Sequence, residues 1–99
     1  SVAERMFTDA ERASVNPSAD LAPRLAARFA AKEAVMKALG VGLGAFAWHD
    51  VEVVTATTGA PSLHLSGGAQ RVAEAAGVTG WLVSLTHTDS VAQAVVAAL

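Results

Sequence analysis

Four charged side chains sit in one short, otherwise apolar run. They are Arg28, Lys32, Glu33 and Lys37 in Arg28-Phe29-Ala30-Ala31-Lys32-Glu33-Ala34-Val35-Met36-Lys37. Three cations and one carboxylate at this spacing could line a cleft that accepts phosphate oxygens and a metal ion. Glu33 and Lys37 are four residues apart, and so are Arg28 and Lys32, which on a helix brings each pair to one side. The ordinary alternative is a solvated Glu33–Lys37 pair worth about 0.2–0.5 kcal/mol. In that case Arg28 and Lys32 would snorkel along their apolar stems. Spacing alone favours the alternative, since most such pairs belong to solvated faces.

The run consists of strong helix formers, and one long helix from Leu21 to Leu39 is expected to carry it. Leu21, Leu25, Phe29, Val35, Met36 and Leu39 fall on one stripe of that helix. Ala26, Ala27, Ala30, Ala31, Ala34 and Ala38 make a smooth second face, so the helix is expected to pack on two sides. Arg28 and Lys32 project within the large-residue stripe, and Glu33 and Lys37 lie at a seam between the faces. Pro23 falls in the first turn, where its missing N–H costs little. Gly40 can take the left-handed position that ends the helix.

Upstream, Ser1 to Met6 reads as a helix end or an irregular entry. Thr8-Asp9-Ala10-Glu11 has capping-box spacing and opens a short helix over 9–13. Asn16-Pro17-Ser18 is a turn signal, with Ser18 or Asp20 as cap of the long helix. Downstream the period changes. Val51 to Ala56 and Ser62 to Leu65 read as two strands joined by a turn at Thr58-Gly59-Ala60-Pro61. Gly67-Gly68 opens a short helix over 69–76. Trp81 to Thr86 and Val91 to Ala97 read as two further strands around the turn His87-Thr88-Asp89-Ser90. Helix, helix, two strands, helix, two strands is an α+β order with antiparallel pairing.

At 99 residues the chain fits one domain. Hydrophobic content of 53% favours a packed fold over disorder. About a quarter of the residues are alanine, so the core is thin and burial against other subunits is expected. A net charge of −2 gives no electrostatic case for nucleic acid. Without cysteine there is no disulfide, thiol nucleophile or Cys-based zinc site. No apolar stretch approaches the roughly 20 residues a membrane span needs, and no signal peptide is visible. The expected setting is the cytoplasm.

Three other constellations fall away. Gly40-Val41-Gly42-Leu43-Gly44 follows a helix and lacks the spacing of a dinucleotide fingerprint. Ser84-x-x-His87 puts its residues on opposite strand faces, without a nucleophile elbow. His49, Asp50 and His64 match no standard metal spacing.

Residues Arg28 to Gly40, with Lys32-Glu33-Ala34 followed by Lys37-Ala38-Leu39-Gly40, resemble the signature helix of holo-[acyl-carrier-protein] synthase. That family is the small, trimeric class of 4′-phosphopantetheinyl transferases. Ser84-Leu85-Thr86-His87-Thr88 resembles its second signature, at a strand end. Asp50-Val51-Glu52-Val53 and Gly59-Ala60-Pro61 fit its hairpin and turn, and Phe7-Thr8-Asp9-Ala10-Glu11 fits the segment before the long helix.

The resemblance implies an α+β fold with a long central helix packed on an antiparallel sheet, forming a homotrimer. It implies transfer of 4′-phosphopantetheine from coenzyme A to a serine of apo acyl carrier protein, releasing 3′,5′-ADP, in fatty acid biosynthesis. By the same resemblance Glu33 is a magnesium ligand and also orients or deprotonates the nucleophile or a water. Lys37 stabilises or protonates the leaving phosphate. Arg28 and His87 hold coenzyme A phosphates, Ser84 and Thr86 line that site, and the Gly40 to Gly44 loop, including Gly42, lets backbone approach the nucleotide. Lys32 is either structural or a phosphate contact.

The sequence departs from the family in two places. The opening strand that carries a second, aspartate metal ligand is missing, and Asp9, Asp20 and Asp50 are in the wrong context to replace it. The basic helix that helps dock the acidic carrier protein is also missing. The expectation is one transferase domain over 1–99 that is incomplete at its N-terminus. The alternatives are a fragment of a larger fatty acid synthase or a non-catalytic nucleotide-binding or assembly relative.

Overall fold

A computed structural model describes residues 5–13, 21–42, 44–88 and 90–99, with side chains in the long helix described from residue 23 onward. The elements are α1 (Asp9–Ala13), α2 (Leu21–Ala38), a 3₁₀ turn (Trp48–Asp50), β1 (Val51–Thr55), β2 (Pro61–Leu65), α3 (Gly67–Ala75), β3 (Trp81–His87) and β4 (Ala92–Ala98). This is the expected α+β order, with boundaries displaced by one or two residues. The expected Asn16–Ser18 turn, the Ser18 or Asp20 cap and the entry at 1–4 lie outside the described residues.

Both strand pairs are antiparallel hairpins. β1 pairs with β2 from Val51↔Leu65 to Thr55↔Pro61, and β3 pairs with β4 from Trp81↔Ala98 to His87↔Ala92. One sheet was expected; among the described residues the ladders form two separate sheets of two strands. β2 and β3 lie side by side without a shared ladder, and α2 crosses β1, β3 and β4.

The core gathers Val35 and Met36 of α2, Phe46, Val51 of β1 and Ala69 of α3. Leu63, Leu65, Val72, Trp81 and Val96 pack around it. Small residues let α2 sit close to its neighbours, with Ala27 and Ala31 almost fully enclosed. The two-sided packing expected of α2 is therefore present, but its faces are drawn differently. Leu25, Phe29 and Leu39 are only half-buried, whereas Arg28 and Lys32 are buried. Phe29 instead leans on Trp48 of the 3₁₀ turn, with ring centroids 4.9 Å apart.

Both ends of the connecting segments are pinned by hydrogen bonds. Asp50 reaches across to α3, where its Oδ2 accepts from Gly68 N at 3.0 Å. A Cβ on Gly67, whose φ is +51, would lie 3.0 Å from the same carboxylate, so glycine there admits the cap. At the end of α2, Gly40 (φ +70) donates its N–H to Lys37 O and Val41 donates to Met36 O, the two bonds of a Schellman motif.

Candidate active site

Lys32 contradicts the solvated reading. Its side chain is 0% exposed, and so is Glu11, whose Oε1 accepts from Lys32 Nζ at 2.8 Å. The ammonium also donates to Trp48 O at 3.0 Å and to Val51 O. Glu11 in turn accepts from Val53 N at 2.9 Å and from Thr8 N at 3.0 Å. Thr8 closes the expected capping box by accepting from Glu11 N, and its hydroxyl donates to Glu52 Oε2 at 2.5 Å. One ion pair thus ties the α1 segment, α2, the 3₁₀ turn and β1 together. Burial lowers the Lys32 pKa, while the hydrogen bond and charge of Glu11 and the charge of Glu52 raise it. All three N–H groups of Lys32 are thus spent inside the protein, on Glu11, Trp48 O and Val51 O, which leaves none to offer a phosphate.

This anchoring fixes the rotation of α2 and hence where its other charges point. Glu33 and Lys37 do not meet as an ion pair; among the described residues Lys32–Glu11 and Arg12–Asp9 do. Instead the two residues line one cleft of about 180 Å³ with Met36, Val41 and Gly42. The Schellman motif folds Val41 and Gly42 back beside them, so Gly42 lies in the cleft wall and Gly40 serves as the exposed hinge. On their other side, Glu33 and Lys37 border a wider groove of about 570 Å³ between the alanine face of α2 and Ala92 to Val95 of β4. The seam expected from the helix period is therefore a ridge between two depressions.

A second cavity, about 200 Å³, opens between α2 and the ends of both hairpins. Arg24 and Arg28 of α2, Thr55 and Pro61 of the first hairpin, and Leu85 and His87 of β3 line it. Arg28 is 7% exposed. Its Nη1 donates to Arg24 O at 3.2 Å and its Nη2 to Thr55 Oγ1 at 3.1 Å, while its buried Nε has no partner. Burial pulls the Arg28 pKa below the ordinary arginine range; Glu11 opposes that and the nearby Arg24 adds to it. The guanidinium stays charged all the same, and with two cations a turn apart the cavity suits an anion.

Arg28 and His87, which stand far apart in sequence, thus meet in one cavity. Ser84 and Thr86 do not join them. Side chains alternate across a strand, so Leu85 and His87 face the cavity while Ser84 and Thr86 lie on the opposite, exposed face with Leu82. Reading the sequence missed three residues: Glu11 as a counter-ion, and Arg24 and Thr55 as cavity walls. Thr55 was within reach of a parity argument, since it shares a face of β1 with Val51 and Val53.

A family model described as 4′-phosphopantetheinyl transferase superfamily matches residues 1–96. The chain belongs to that superfamily. Among curated relatives, the holo-[acyl-carrier-protein] synthase of Frankia alni is 50% identical over 97 residues, covering 98% of this chain and 77% of that protein. Among solved structures, the Helicobacter pylori holo-[acyl-carrier-protein] synthase in complex with coenzyme A superposes with a TM-score of 0.84. It is 26% identical and covers 99% of this chain and 81% of that one. The Mycobacterium tuberculosis acyl carrier protein synthase is 36% identical, with a TM-score of 0.66 and coverage of 96% and 80%.

Proposed function

We infer that this chain is a holo-[acyl-carrier-protein] synthase, moving 4′-phosphopantetheine from coenzyme A to a serine of apo acyl carrier protein. The observation that carries the reading is convergence. The two signature segments, Arg28 to Gly40 and Ser84 to Thr88, come together where Arg28 and His87 line one cavity, and Glu33 and Lys37 line a separate cleft of α2. In the reaction the serine oxygen bonds to phosphorus as the bridging P–O bond to 3′,5′-ADP breaks, and the serine proton goes to a base. Such transfers depend on positioning and charge stabilisation more than on covalent chemistry by the protein.

In this reading Arg28 and His87 hold phosphates of coenzyme A. Lys37, in the last turn of α2, stabilises the charge that builds on the departing phosphate or protonates it. Glu33 accepts the serine proton directly or through water, and is also the residue that would hold magnesium. Among the described residues, no group of three or more His, Asp or Glu side chains converges on a metal cage. A single half-exposed carboxylate fits magnesium, which is commonly held by one or two carboxylates together with substrate phosphates. When bound, the ion neutralises pyrophosphate charge.

The outer face of the β3–β4 hairpin leaves Leu82 60% and Val95 71% exposed, and Leu99 beside it 60%. Those side chains support burial against further copies, in a homotrimer. No helix among the described residues is long and apolar enough to cross a membrane, and we place the reaction in the cytoplasm, serving fatty acid biosynthesis.

The test is incubation of the full-length protein with coenzyme A, magnesium and apo acyl carrier protein, read by intact-mass spectrometry. Gain of one phosphopantetheinyl group supports the reading; no gain refutes it. Glu33→Gln is expected to abolish transfer while leaving the far-UV circular dichroism unchanged. Near-normal turnover in that variant would show that Glu33 neither binds the metal nor moves the proton.

A further inference from the structure

Thr55 is an exposed residue at the end of β1, outside both signature segments, yet its hydroxyl accepts a hydrogen bond from the buried Arg28. Three observations meet there. First, Arg28 is almost wholly buried, and its two terminal nitrogens are held from two sides, by Arg24 O and by Thr55 Oγ1. Second, the buried Nε of Arg28 has no partner within the protein, which leaves a donor of a cavity-lining residue to be satisfied by something else. Third, β1 is not free to drift, because Lys32 Nζ donates to Val51 O and Val53 N donates to Glu11. Thr55 lies on the same face of β1 as those two valines, and so faces α2 from a fixed strand.

We propose that Thr55 is a positioning residue: its hydroxyl holds the Arg28 guanidinium so that the remaining N–H groups are aimed at a phosphate of coenzyme A. The inference rests on the coenzyme A reading and deepens it. An arginine reads phosphate through the fixed fork of its N–H groups, and that fork is useful only when its plane is held. An arginine side chain free to rotate would lose rotamer entropy on binding. Fixing it beforehand moves that cost from binding to folding. The backbone carbonyl of Arg24 cannot fix the plane alone, because one contact leaves rotation about it open. Thr55 supplies the second point. Thr55 lines the cavity of Arg28 and His87 and not the cleft of Glu33 and Lys37, so its effect should fall on binding and not on the chemical step.

The experiment uses the full-length protein and three variants, Thr55→Val, Thr55→Ser and Arg28→Gln. Valine keeps the shape and removes the acceptor, and serine restores it. Calorimetric titration with 3′,5′-ADP and with coenzyme A gives affinity, and transfer to apo acyl carrier protein gives kcat and KM. Thr55→Val is expected to weaken both ligands and raise KM for coenzyme A by about five- to tenfold, the size of one ordinary hydrogen bond lost. Its kcat should stay within about twofold of wild type, since a group that does not touch the reacting atoms leaves the chemical step alone. Thr55→Ser should bind as wild type does, and Arg28→Gln should bind more weakly than Thr55→Val. In the Arg28→Gln background, Thr55→Val should have no further effect, because nothing remains to be positioned. Unchanged KM in Thr55→Val, failure of serine to rescue, or an undiminished effect in the Arg28→Gln background overturns the inference while leaving transferase activity established. A wild-type protein that neither binds coenzyme A nor transfers overturns this inference and the functional reading together.

Discussion

Replacing Lys32 by methionine keeps most of the side-chain volume and removes a fully enclosed charge. Lys32 Nζ lies 2.8 Å from Glu11 Oε1 and 3.0 Å from Trp48 O, with a third bond to Val51 O, and neither Lys32 nor Glu11 is exposed. Lys32→Met takes the ammonium away from the buried Glu11 carboxylate, while the N–H donors of Thr8 and Val53 stay in place. Removing one partner of a buried pair costs about 3–5 kcal/mol. Against a total stability of about 5–15 kcal/mol, that is a large fraction. At about 4–8 °C per kcal/mol for a domain of this size, Tm should fall by at least about 12 °C. Glu11→Gln added to Lys32→Met should recover part of the loss, since it removes the buried charge that has lost its lysine and keeps an acceptor for one N–H. The assay is urea denaturation followed by circular dichroism at fixed protein concentration, because self-association would add to stability. A loss under about 1 kcal/mol for Lys32→Met would contradict the burial argument. So would a double variant as damaged as the sum of its parts, since paired residues should couple.

The same residue gives a pH dependence. The Lys32 pKa is depressed in the fold, chiefly by burial, below its ordinary 10.5. In the interval between the folded value and 10.5 the unfolded chain therefore holds more protons, and the Lys32 contribution to stability rises with pH. The stability of the wild type relative to Lys32→Met should improve as pH rises through that interval; a constant or shrinking difference across it would refute the argument. Asp50→Ala removes the cap that accepts from Gly68 N and should cost about 1 kcal/mol in thermal unfolding. Leu82→Ser with Val95→Ser should dissociate the proposed homotrimer on analytical ultracentrifugation, and an unchanged mass would refute an interface at these side chains.

The element order, the long helix and both hairpins could be read from the sequence because their signals are local. Apolar period, glycine stops and β-branched runs act over a few residues. The Thr8–Glu11 capping box is equally local, and it forms as its spacing implies. Ladder grouping is not local, and the two hairpins stay separate sheets where one was expected. The signature segments also placed Arg28, Glu33, Lys37 and His87 around cavities of the fold.

What the sequence determined by itself was the set of charges on α2 and their spacing along one helix. Which of them would be buried was decided by tertiary structure. Helical period assigns Arg28 and Lys32 to the same side, but it cannot supply Glu11, which is twenty-one residues before Lys32. Nor can it supply Thr55, twenty-seven residues after Arg28. A lysine becomes an interior residue only when folding delivers a carboxylate and two carbonyls to its ammonium, because a lone buried charge is too costly to persist. Strand parity made the matching decision at the other signature, turning His87 toward Arg28 and Ser84 and Thr86 away from it.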